Sequence, residues 1–181
     1  VRQRHPLSHS KREIYAPVFT DGGGIDFSQQ GSHLYVSGRS GSGKSNLLHR
    51  IAKSLAAQGQ NVHFWQSREP FGERFDGASS NASETIGSVY EALFPADGSY
   101  GSFSDRNAVN SDLSGFLFVD GVHRLDDGQR RKLLDILTAP HQSKVTVVMS
   151  GQLNSQDESR VRVSLRQRIA LSYPPKWLFG S

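Results

Sequence analysis

The chain has 181 residues, 35% of them hydrophobic, and carries a formal net charge of +4 at neutral pH. That is enough for one domain with a sizeable core, and the basic balance leans toward anionic partners such as nucleotides, nucleic acid or a membrane surface. There is no cysteine, which excludes disulfides, thiolate metal sites and a cysteine nucleophile, and no apolar run approaches the length of a membrane span.

The basic N-terminus, VRQRHPLSHSKRE, is followed by no apolar stretch, so it does not read as a signal peptide. The first residue is Val1, and the chain is read as a piece of a longer polypeptide. Residues 1–24 predict an extended lead-in or linker: Pro6 and Pro17 oppose helix, EIYAPVF can add an edge strand, and TDGGG is a turn. His33 to Ser37 predict a short buried strand ending at Gly38. From Ser45 to Gln58, the residues Leu47, Leu48, Ile51, Ala52, Leu55 and Ala56 recur on one helical face, and Gly59 is a natural stop. Asn61 to Trp65 read as a second strand.

Residues 66–114 read as a variable insert with one helix, on which Ile86, Val89, Tyr90 and Leu93 share a face and which Pro95 ends, followed by a long mobile loop. Gly115 to Asp120, GFLFVD, is a continuous apolar strand ending in an acid. A helix capped by Asp126 or Asp127 follows, with Leu133, Leu134 and Leu137 expected to face the core and Pro140 to close it. KVTVVMS reads as a strand, DESRVRVSLRQR as a helix and RIALSYP as a final strand. Continuous apolar strands alternating with helices predict an α/β fold, a mostly parallel sheet with helices on both faces, in a single domain over 25–181.

One stretch carries chemistry. Gly38, Arg39, Ser40, Gly41, Ser42, Gly43, Lys44 and Ser45 fit G-x-x-x-x-G-K-[ST] in full, between a predicted strand and a predicted helix. Glycines let the backbone curl so that its N–H groups converge on phosphate oxygens, and the helix adds its N-terminal donors and positive dipole end. Lys44 can reach the β and γ phosphates, and the Ser45 hydroxyl can ligate Mg²⁺. Asn46, next in the helix, is counted with the nucleotide-binding segment. Arg39 is open to a terminal phosphate, a neighbouring subunit or solvent.

Such a site needs an acid at the end of a neighbouring strand to hold Mg²⁺ and its waters, and Asp120 supplies one. Many ATPases follow this Asp with a Glu that activates the attacking water, but here Gly121 stands there. Loss of a general base costs about 10²–10⁴ in rate. His123, Asp126, Asp127 or a neighbouring subunit are the conceivable substitutes. Nucleotide binding with slow or absent hydrolysis is therefore expected, and a glutamate at 121 is expected to raise hydrolysis where the water site is otherwise formed. Seven histidines are scattered without metal-type pairing, so no zinc site is expected. Trp65 is expected in the core or at its rim, and Trp177 with Phe179 form a short apolar tail expected to pack on the same domain.

Together these blocks resemble the FtsK/SpoIIIE/HerA group of P-loop motor ATPases, and within it the tandem ATPase domains of type VII secretion proteins of the EccC/EssC kind. GSHLYVSGRSGSGKSNLLHRIAKSL resembles the strand, Walker A loop and helix, and GFLFVDGVHRL the Walker B strand. KVTVVMSGQ resembles the strand ending in a Thr-Gln sensor, with Gln152 matching and Gly151 in place of the Thr; SLRQRIALSY resembles the strand after a short helix. Residues 66–114 show no match and residues 1–24 a loose one.

The resemblance implies a RecA-like core, ATP with Mg²⁺, and assembly with other ATPase domains of the same chain or ring. It also implies a place on the cytoplasmic part of a membrane-anchored protein. Late domains in such arrays are often degenerate, bind nucleotide or the signal peptides of secreted substrates, and regulate the active domain. Two alternatives stand beside it. A DNA-translocating motor of the same group would use the basic balance and Arg160, Arg162, Arg166 and Arg168, of which Arg162 and Arg166 share a helical face. An AAA-type initiator or loader would need a helical lid after RIALSY, where only a short tail remains.

Overall fold

The computed structural model describes residues 15–17, 24–27, 33–38, 43–66, 77–79, 81–95, 109–110, 112–139, 143–151 and 167–170. Short strands β1 (Tyr15–Pro17) and β2 (Gly24–Asp26) pair antiparallel in a two-stranded ribbon. Among the described residues the main sheet has five strands: β3 (Leu34–Ser37), β4 (Val62–Gln66), β5 (Ser114–Asp120), β6 (Lys144–Gly151) and β7 (Gln167–Ala170). Their order is β4-β5-β6-β3-β7, and every neighbouring pair is parallel. The continuous apolar runs thus become strands buried on both faces, as parallel sheets require.

Period-two alternation sorts each strand between two cores. On one side, Leu34, Val36, Phe116, Phe118 and Val148 gather with Leu47, Leu48, Ile51 and Leu55 of helix α1 (Lys44–Ala57). Phe64 stacks on Phe118 with ring centroids 5.2 Å apart, and Ile25 and Phe27 extend this core from β2. On the other side, Tyr35, Leu117, Val119, Val147 and Met149 gather with residues of α2 (Ala82–Leu93) and α3 (Asp127–Leu137). Trp65 is buried in this second core.

Helix ends follow local chemistry. Asn81 caps α2, its side chain accepting from the Glu84 amide at 3.2 Å. Asp126 rather than Asp127 caps α3, in a capping box with Gln129. Gln129 also donates to the Ser83 hydroxyl at 2.7 Å, which ties α3 to α2. That docking sets which face of α3 is inward. Leu133, Ile136 and Leu137 are buried, whereas Leu134, expected in the core, is only half-buried. Of the loop predicted over 95–114, Pro95, Val109, Asn110 and residues 112–114 are described: Val109 is buried in the second core, and Ser114 already opens β5. The helix predicted over 157–168 lies outside the described residues except for Gln167 and Arg168, which belong to β7 instead, and the C-terminal tail lies outside them. No helix among the described residues is long and apolar enough to cross a membrane.

Register places the site. Ser37 lies opposite Gly151, Ser150 opposite Asp120, and Asp120 opposite Gln66. The carboxyl ends of β3, β4, β5 and β6 therefore line one edge, where open α/β sheets bind their ligands.

Candidate functional site

At this edge β3 runs out at Gly38, and α1 begins at Lys44 after Gly43, whose φ of 92° is the left-handed conformation that glycine alone adopts without strain. The Lys44 ammonium reaches back across the loop and donates to the Gly38 carbonyl at 2.8 Å, joining strand end to helix start. No side chain caps α1 and no acid stands in its first turn. Its leading amides and the positive end of its dipole therefore meet no carboxylate of their own helix. Ser45 is half-buried and Asn46 exposed beside Lys44. Arg39, Ser40, Gly41 and Ser42 lie outside the described residues, as does Gln152.

Across β6, Asp120 ends β5 and is buried. Its Oδ1 accepts from the Ser150 hydroxyl at 2.8 Å, and the same hydroxyl accepts from the Gly121 amide at 3.0 Å. Ser150 is fully buried. Asp120 Oδ2 is buried too, yet has no hydrogen-bond partner. A buried carboxylate oxygen left unpaired is costly, and a hard cation or its water would satisfy it. Among the described residues no three His, Asp or Glu side chains gather to hold a metal alone. A single buried carboxylate suits Mg²⁺, which commonly keeps waters and arrives with the oxygens of a phosphate ligand. Gln66, next to Asp120 on β4, is turned into a buried contact with His49 Nε2 at 3.2 Å and belongs to the packing between β4 and α1.

After Asp120 the chain turns through Gly121, φ 103°, into a short 3₁₀ turn over Val122–Arg124. The left-handed backbone at 121 works against the expectation that a glutamate there would restore hydrolysis. A side chain at that φ carries about 1–2 kcal/mol of strain; there is room for its Cβ, which would sit in ordinary contact with Arg124 Cδ at 3.5 Å and His123 Cε1 at 3.6 Å.

The three residues that the sequence offers as a base now separate. Asp126 is occupied in the α3 capping box, and Asp127 is solvent-exposed beside Arg130, at 3.8 Å. His123 remains, with its ring against Gly121 and a buried Nδ1 that has no partner. Its carbonyl accepts from Arg130 Nη2 at 3.1 Å, which pins the turn to α3. Burial, then the charges of Arg124 and Lys44, hold the His123 pKa below the usual histidine value; Asp120 opposes and Arg130 adds to the lowering. The imidazole thus feels Lys44 and Asp120 together.

The sequence motif located Gly38, Gly43, Lys44, Ser45 and Asp120, and the structure brings them to one sheet edge. Ser150 was missed. Its position opposite Asp120 depends on strand register, although a serine at the end of an otherwise apolar strand was a visible signal.

No protein-family model matches the chain, and no curated protein matches its sequence. Solved structures share its fold. The cytoplasmic domain of the type VII secretion ATPase EccC of Thermomonospora curvata matches with a TM-score of 0.57 at 15% identity, over 93% of this chain and 23% of that one. EssC (ATPases 2 and 3) from Geobacillus thermodenitrificans matches with a TM-score of 0.60 at 16% identity, over 92% and 35%. Thermomonospora curvata EccC (ATPases 2 and 3) in complex with a signal sequence peptide matches with a TM-score of 0.51 at 17% identity, over 88% and 34%. The chain has the fold of these ATPase domains and spans about a quarter to a third of the length of the solved chains.

Proposed function

We propose that this domain is an ATP-binding module of an FtsK-like ATPase in a type VII protein secretion system, holding Mg–ATP with weak or no intrinsic hydrolysis and acting in regulation or substrate recognition. The observation that carries this is the buried, unpartnered Oδ2 of Asp120 at the same sheet edge as the Lys44 ammonium. An anion-seeking helix start and a cation-seeking carboxylate at one edge together describe a Mg–nucleotide site.

In this reading the loop from Gly38 to Ser45 cradles the phosphates with its amides, and Lys44 exchanges the Gly38 carbonyl for β and γ phosphate oxygens. Ser45 and Asp120 hold Mg²⁺, which when bound neutralises phosphate charge. Ser150 keeps Asp120 aimed. Arg39, Asn46 and the sensor residue Gln152 complete the proposed set. The partners are other ATPase domains of the same chain or ring, and signal peptides of secreted substrates, consistent with the peptide complex of the structurally similar EccC. The domain would stand on the cytoplasmic part of a membrane-anchored protein.

Calorimetry with ATP, with and without Mg²⁺, tests this on the wild type and on Lys44→Ala, alongside phosphate release with and without DNA. Saturable Mg–ATP binding, lost in the variant, with very slow release that DNA leaves unchanged, is the expected result. Equal affinity in Lys44→Ala would remove the site assignment, and DNA-stimulated turnover would replace a regulatory module with a nucleic-acid motor.

A further inference from the structure

We propose that His123 is the proton acceptor for hydrolysis in this domain, standing in for the side chain that Gly121 lacks. The inference rests on the ATP-binding reading above. Its geometric basis lies in the turn after β5. A side chain at 121 would begin 3.6 Å from His123 Cε1, so the imidazole already borders the volume that such a side chain would enter. The other two acids of this segment are committed elsewhere, Asp126 to the helix cap and Asp127 to solvent beside Arg130.

The ring is placed by backbone constraints that leave its own nitrogen unused. The Gly121 amide donates to Ser150, the Arg124 amide donates to the Gly121 carbonyl at 2.9 Å, and Arg130 holds the His123 carbonyl. None of these contacts involves Nδ1, which is buried without a partner. In this proposal the hydrogen bond that Nδ1 lacks is the one it accepts from a water at the terminal phosphate. Such bonds commonly tighten only once the substrate is in place.

The charged groups that face the imidazole are Lys44 from α1, Asp120 from β5, Arg124 from its own turn and Arg130 from α3. Burial, and then three cations against one anion, hold the ring's pKa below the usual histidine value and favour the neutral form, which can accept a proton.

The step balances without a redox partner. The water oxygen forms a bond to the terminal phosphorus of ATP. The bond from that phosphorus to the bridging oxygen breaks, and ADP leaves with its electron pair. The water proton passes to His123 Nδ1 and then to phosphate or solvent.

The test compares wild type and His123→Ala under single-turnover conditions at saturating Mg–ATP, with affinity measured by calorimetry on the same preparations. His123→Ala should bind ATP as wild type does, release phosphate about 10²-fold more slowly or worse, and regain part of the rate when imidazole is added. Independently of activity, the His123 ring resonances should shift with a non-hydrolysable Mg–ATP analogue and not with Mg–ADP. Equal release rates in the two proteins, wild-type binding with no release at all, or ring resonances indifferent to the terminal phosphate would each overturn the proposal. Absence of ATP binding by the wild type would instead overturn the nucleotide-site reading, and the calorimetry separates the two failures.

Discussion

Two glycines in the left-handed conformation stand at the same sheet edge, Gly43 before α1 and Gly121 after β5, and they do opposite things with the amides around them. At Gly43 the turn opens onto a helix start whose cap residue has no side chain to accept from the leading amides. At Gly121 the amide is donated inward to Ser150, and the residue is locked to the sheet. In the proposed reading the first corner receives an anion. The second holds one carboxylate still, with the His123 ring beside it. A shared backbone state therefore says little about chemistry until the destination of each N–H is known.

The contrast is broken most strongly through the acid. Asp120→Asn keeps an acceptor for Ser150 but removes the charge, so the Mg²⁺-dependent part of ATP affinity should vanish, a loss of about 1.5–3 kcal/mol by the scale of a charged hydrogen bond. Calorimetry with and without Mg²⁺ reads this directly. Next, Ser150→Ala strands the Gly121 amide and Asp120 Oδ1 in a buried setting and should cost about 1–3 kcal/mol of stability, seen as a lowered urea midpoint. Gly43→Ala and Gly121→Ala should each cost about 1–2 kcal/mol in the same assay, yet only the first should weaken ATP binding. Equal effects on binding would mean that the two corners are not functionally distinct.

The smallest effect is that of pH. His123 titrates below its unfolded value of 6.5, so between the folded and unfolded pKa the unfolded chain binds more protons. Stability is then unaffected above the ordinary histidine range and declines as pH falls through it. Urea midpoints taken from about pH 8 to 5.5 should fall more in wild type than in His123→Gln.

Most of the proposed site is legible because its residues are contiguous in sequence. Gly38 to Ser45 have the residue types that a phosphate-binding curl would require, and Asp120 follows from an apolar strand ending in an acid. The parallel sheet was legible for a similar reason, since GFLFVD and KVTVVMS are apolar on both faces. What escaped depends on distant pairing. Ser150 meets Asp120 only because β5 and β6 align in one register. The three candidate bases could not be ranked before the capping box claimed Asp126 and the turn at Gly121 aimed His123. Leu134 was misplaced because the inward face of α3 is set by its docking on α2, through contacts such as Gln129 to Ser83, and not by apolar spacing alone.

The inward donation of the Gly121 amide has a further consequence in time. A proton shared with a fully buried serine hydroxyl is out of reach of solvent, and it can be traded for deuterium only when β5 and β6 separate. The acid corner therefore keeps the slow clock of the core.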